Sequence, residues 1–242
     1  MNIETDDNFI GIDADHPMAK KWTYLRYADG AYSLIPHGFF RNWMDEDVSG
    51  VEGLNFYIGR GTGIGIGSIA KYDVGRQCLR IGKYVAGGLR LKFLLNGQHE
   101  MDSISICMFS AFGTGLKNLP PPQYPDTIIG NDVWIGDEAM FLGGSRIADG
   151  CVVGARAVVP PNFQSEAYGI YVGSPARLVR FRFSEKIREK LLQLAWWDMP
   201  LDWVKQNNQA FLVKLSSVEE SQALELLDAL IALKAQTLST KP

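Results

Sequence analysis

The chain has 242 residues, long enough for a sizeable core in one large domain or two small ones. With 46% hydrophobic and 21% charged residues its composition is that of an ordinary globular protein. A net charge of −3 without any long Lys/Arg run argues against a nucleic-acid surface.

From the amino terminus, residues 1–15 are acidic (Glu4, Asp6, Asp7, Asp13, Asp15) and lack the basic and apolar regions of a secretory signal. No apolar stretch approaches the roughly 20 residues that span a bilayer. The three cysteines, Cys78, Cys107 and Cys151, form no CxxC pair, which together with the missing signal predicts reduced thiols and a cytoplasmic protein. Residues 1–57 carry many aromatics (Trp22, Tyr24, Tyr27, Tyr32, Phe39, Phe40, Trp43) without clear periodicity and read as a packed cap.

Residues 58–180 carry a period of six. From Ile129 onward every sixth residue is apolar: Ile129, Ile135, Phe141, Ile147, Val153 and Val159. Four places after successive anchors stand residues of modest size, Val133, Ala139, Ser145, Cys151 and Ala157. A helix needs apolar spacings of 3 and 4, and a half-buried strand needs 2. A strict six fits a triangular coil with three flat sides per turn, its anchors stacked inside as aliphatic ladders. A second run reads Ile81, Gly87 and Phe93, and a third Ile58 and Ile64. Ile64 and Ile81 are 17 residues apart, so the phase slips between Gly65 and Arg80; a bulge, a short deletion or a small inserted loop all fit.

Residues 96–127 break the period. Gly113, Gly115, Pro120, Pro121, Pro122 and Pro125 exclude a regular rung, and predict a long loop protruding from the coil. Residues 181–242 turn helical. Ser184 precedes one helical segment as its N-cap, and Ser217 with Glu220 has the spacing of a capping box for another carrying Leu224, Leu227, Leu230 and Ile231.

The segment TIIGNDVWIG at 127–136 resembles the hexapeptide-repeat acetyltransferases, most closely the xenobiotic branch that includes type B chloramphenicol and streptogramin acetyltransferases. NGQHEMD at 96–102 resembles that family's histidine segment. VGSPA at 172–176 resembles its exit from the coil, and Arg182-Phe183 with Trp196-Trp197 its helical tail. The similarity spans about Ile81 to Pro200, roughly half the chain. Two departures stand out: Gly143-Gly144 replaces a usual Pro-Gly corner, and Pro160-Pro161-Asn162 stands where a Lys-Asp pair is common.

The resemblance implies a mainly β fold, a left-handed parallel β-helix with C-terminal α-helices. It implies a homotrimer that shares its active sites, and acetyl-CoA as co-substrate with no metal. A hydroxyl is a poor nucleophile near neutral pH, and histidine is suited to take its proton. Of His16, His37 and His99, the resemblance makes His99 the catalytic base, while the other two belong to the cap. Glu100 or Asp102 would orient its ring, or each is ordinary loop charge. By matching position, coenzyme A would lie against Trp134, Gly136, Gly154, Ala155 and Arg156. Trp134 alternatively just packs on the outer wall. Arg177, Arg180 and Arg182 form a basic stripe, either for CoA phosphates or solvated surface charge.

The expected activity is O-acetylation of a small molecule or sugar. Surface-polysaccharide or amino-sugar acylation is the rival enzyme reading, and a non-catalytic β-helix scaffold is the reading from another class.

Overall fold

In a computed structural model, which describes residues 3–239, three parallel sheets wrap into a triangular prism. The first face stacks Ile3–Glu4, Asn55–Ile58, Cys78–Ile81, Thr127–Ile129 and Arg146–Ile147. The second stacks Ala86–Gly87, Trp134–Ile135, Val152–Val153 and Gly169–Val172, and ends on the antiparallel strand Arg177–Phe181. The third stacks Phe40–Arg41, Ile69–Lys71, Lys92–Leu94, Met140–Leu142 and Val158–Val159.

Backbone register explains the six-residue period. Ile58, Ile81, Ile129 and Ile147 are cross-strand partners down the first face. Ala70, Phe93, Phe141 and Val159 are partners down the third, and Ile135, Val153 and Tyr171 down the second. All of these are buried, so each anchor is both a rung of a ladder and a core residue. Beside the small anchor Ala70, the buried Phe39 lies 6.0 Å from Phe93 and 5.8 Å from Phe56.

Along the regular rungs, the third residue after the anchor turns the chain through a corner with positive φ: Tyr84 (56°), Asp132 (53°), Glu138 (62°), Arg156 (58°) and Asn162 (55°) among them. The modest-sized fourth residues, Val133, Ala139, Ser145, Cys151 and Ala157, are buried just behind these corners.

The phase slip is an insertion. Ala70 is followed by Ile81 eleven residues later instead of six, and the surplus forms a turn in which Arg76 N–H bonds the Asp73 carbonyl. Upstream of residue 58, Ile3–Glu4 and Phe40–Arg41 already pair into the first and third faces. An antiparallel meander (Phe9–Ile12, Trp22–Tyr27, Tyr32–Pro36) extends the second face through a Leu34–Gly63 bridge.

The tail packs α1 (Glu185–Leu194), α2 (Leu201–Gln206), α3 (Asn208–Phe211) and α4 (Glu220–Ser239) around a second core of Ile187, Leu194, Met199, Trp203, Leu227 and Leu230. Ser184 is at the N-cap position of α1, but its hydroxyl bonds Glu220 Oε1. Helix α4 therefore starts at Glu220, with a carboxylate held by the neighbouring helix instead of by Ser217. Arg60, buried in the prism wall, donates to the carbonyls of Trp197 (3.0 Å) and Met199 (2.7 Å) and ties the tail to the coil. No helix among the described residues is long and apolar enough to cross a membrane.

Candidate active site

The loop carrying His99 leaves the third face after Leu94 and rejoins the first at Thr127. One end is pinned to the inserted turn, where Asn96 Nδ2 donates to Asp73 Oδ2, and the other to the strand that follows it, where Cys78 N–H donates to Asp126 Oδ1 at 3.1 Å.

Within the loop the chain folds back so that His99 Nδ1 lies 2.8 Å from the Ile106 carbonyl oxygen. A carbonyl only accepts, so Nδ1 is the donor in this contact, and in the neutral ring the lone pair falls on Nε2. Glu100 Oε1 instead accepts the backbone N–H groups of Met101 (2.9 Å) and Asp102 (3.1 Å), and so shapes the local turn. The sequence could not point to Ile106, because the orienting atom is a backbone oxygen seven residues away. Cys107, Ser103, Asn118 and Leu119 line a small pocket with His99. The cysteine–histidine proximity likewise follows from the fold-back, and it is invisible in linear spacing.

The outer surface of the second face brings most of the remaining expected residues together. Trp134, Val152, Ile170 and Arg180 stand in register across its strands, with Trp134 59% exposed. Beside them runs a parallel row near the corner, Gly136, Gly154 and Val172, ending at Arg177. A Cβ on Gly136 would lie 2.4 Å from Ala155 N, so glycine lets successive rungs close up there. At the corner itself, Arg156 and Arg90 both pair with Glu138, at 2.7 and 2.8 Å. Their hydrogen bonds hold the Glu138 carboxyl below the usual carboxylate range. The result is an apolar strip with bare backbone along one edge and exposed cations at its end.

Arg182 is placed differently. Its Nη1 donates to the Gly150 carbonyl at 2.8 Å and lies 3.5 Å from Asp132 Oδ2, under the helical tail. Burial raises the Asp132 carboxyl above its ordinary value, and the Arg182 charge partly opposes this. Cys151 is buried with its thiol 3.1 Å from the Glu166 carbonyl, and burial pushes its pKa up, which disfavours the thiolate. His16 Nδ1 accepts the Met18 N–H in the amino-terminal region, where the ring stacks on Tyr24 at 4.0 Å.

A prism of hexapeptide rungs with a histidine loop and a glycine-edged outer strip defines a hexapeptide-repeat transferase. The family profile described as "Bacterial transferase hexapeptide (six repeats)" matches residues 126–161. A probable macrolide acetyltransferase of Lysinibacillus sphaericus is 40% identical over 50% of this chain and 69% of its own length. A chloramphenicol acetyltransferase of Agrobacterium fabrum is 33% identical over 62% of this chain and 76% of its own. That of Escherichia coli is 38% identical over 53% and 63%. Among solved structures, a hexapeptide-repeat acetyltransferase of Vibrio cholerae complexed with acetyl coenzyme A superposes with a TM-score of 0.43 at 23% identity, over 59% of this chain and 64% of that one. The chain belongs to the hexapeptide-repeat acetyltransferases, on their xenobiotic side.

Proposed function

We propose that this protein is an acetyl-CoA-dependent O-acetyltransferase with His99 as general base, acting on a hydroxyl of a small molecule or sugar. The observation that carries the reading is the 2.8 Å contact between His99 Nδ1 and the Ile106 carbonyl, which leaves Nε2 free to accept a proton. Acetyl-CoA supplies an activated acyl carbon. Nε2 takes the acceptor's proton as the hydroxyl oxygen bonds that carbon, and returns it to the sulfur that leaves. Between the two events the imidazolium keeps both N–H groups, one of them still on Ile106. Glu100, which accepts the Met101 and Asp102 N–H groups, shapes the loop that carries the ring.

The strip on the second face fits coenzyme A. Its glycine edge at Gly136 and Gly154, with Ala155 behind, offers backbone groups to a pantetheine arm. Trp134 offers an exposed aromatic wall, Arg177 and Arg180 offer cations for phosphates, and Arg156 borders the groove at the corner, paired with Glu138. Arg182 supports this strip from beneath through Gly150 and Asp132.

Left-handed winding and a homotrimer complete the reading. The histidine loop exposes Met101, Ile104 and Phe112, and a second copy of the chain would cover such an apolar projection.

The test is thiol release from acetyl-CoA with a panel of acceptors: chloramphenicol, a streptogramin, a macrolide, simple sugars, nucleotide sugars and an amino sugar. Turnover with at least one hydroxyl acceptor is expected, and His99→Ala should lower kcat by about 10²–10⁴ while calorimetric CoA binding persists. Undiminished turnover in His99→Ala would overturn the base assignment, and transfer to the amine alone would replace O- by N-acylation. Sedimentation equilibrium checks the trimer.

A further inference from the structure

A second concavity lies away from the His99 loop, between the prism and its helical tail. Its walls are apolar side chains of α1, α3 and α4, including Leu191, Ala210, Phe211, Leu227 and Leu230. Its other side, on the prism, is formed by Tyr168, Asp132 and Arg182. The cleft is open to solvent on one side and its volume is about 250 Å³. A buried apolar cavity of about 150 Å³ suffices for benzene in an unrelated protein.

Two features distinguish this space from a packing gap. Tyr168 is 1% exposed, yet its hydroxyl has no hydrogen-bond partner. A buried polar group left unpaired costs free energy that a ligand atom would recover. Asp132 and Arg182 pair with each other at 3.5 Å, so the polar side presents opposite charges that cancel. A cationic guest would compete with Arg182 and an anionic one would face Asp132.

The geometry points to a binding site for an uncharged molecule of about one ring, its apolar body among the tail helices and a hydrogen-bonding oxygen on the Tyr168 hydroxyl. None of its lining residues belongs to the His99 pocket, and it adjoins the proposed coenzyme A strip only through Arg182 and Asp132.

The experiment uses the full chain with benzyl alcohol, toluene and benzoate as probes, followed by ligand-observed NMR and calorimetry. Benzyl alcohol should bind saturably with a Kd at or below about 1 mM, and benzoate at least tenfold more weakly. Tyr168→Phe should weaken benzyl alcohol about fivefold and leave toluene unchanged. Ala210→Leu, which fills the space, should abolish binding of both without lowering Tm. Non-saturable binding to the wild-type chain overturns the proposal. So does equal affinity for benzoate, or a Tyr168→Phe variant that binds benzyl alcohol as the wild type does. If Ala210→Leu unfolds, the Tyr168→Phe comparison decides alone.

Discussion

Asp73 and Asn96 meet across 23 positions of sequence: the Asn96 amide donates to the Asp73 carboxylate at the root of the histidine loop. Asp73 lies in the residues that break the six-residue period, so the inserted turn braces the loop that presents His99.

That brace predicts the behaviour of Asp73→Ala. The loop should lose registration with the coil, and a small misplacement of a base is costly in rate. We expect kcat to fall about tenfold with the KM for acetyl-CoA unchanged, and Tm to fall by a few degrees at most. Steady-state kinetics with acetyl-CoA varied at saturating acceptor separates the two parameters.

Arg180 stands at the end of the Trp134–Val152–Ile170 row with no ion pair among the described residues, whereas Arg182 is engaged below it. Arg180→Gln should therefore raise the KM for acetyl-CoA about fivefold and leave kcat and stability alone. The difference should shrink as ionic strength rises. An unchanged KM at low salt would mean that this arginine is solvated surface charge.

Gly136→Ala tests whether the glycine edge is structural as well as a ligand surface. The added methyl would sit 2.4 Å from Ala155 N and 2.8 Å from Ala155 Cα, on a rung that backbone bonds hold in place. Overpacking of this kind costs about 1–3 kcal/mol. Chemical denaturation should show that loss in the absence of any ligand, which a pure contact residue would not produce.

Arg182→Ala should destabilise the chain by about 1–2 kcal/mol at neutral pH, since its bond to Gly150 and its pairing with Asp132 both vanish. The loss should depend on pH. Burial already raises the folded-state pKa of Asp132, and the nearby Arg182 charge is what chiefly opposes that rise. A carboxyl with a raised folded pKa contributes stability that is complete below its unfolded value and is lost as pH rises through the folded value. Without Arg182 that folded value climbs further. The Tm gap to the wild type should thus be smallest near the unfolded carboxylate value, about pH 4, and widen toward pH 7. Thermal melts across that range measure it.

The coil was legible in the sequence because a β-helix is a local repeat: each anchor pairs with another a fixed number of residues away, so Ile129, Ile135 and Phe141 announce their own burial. The histidine on the loop was legible through its resemblance to a known segment. The atom that orients it was not, since any residue at position 106 offers the same carbonyl and only the fold-back selects it. The slip before Ile81 was visible as a number, and its form, an inserted turn gripping Asn96, was not.

The tail divided in the same way. Helical periodicity marked α1 and α4, yet Ser184 and Glu220 satisfy each other across two helices where local capping rules pair each with its own. Arg180 and Arg182 look equivalent in a basic stripe, but one is exposed and the other is engaged beneath the tail. The repeating element and its inward residues could be read from the chain alone, because they depend on short-range periodicity and backbone pairing. Which polar groups meet emerged with the folded chain, because hydrogen bonds and ion pairs between distant segments depend on where the backbone returns in space.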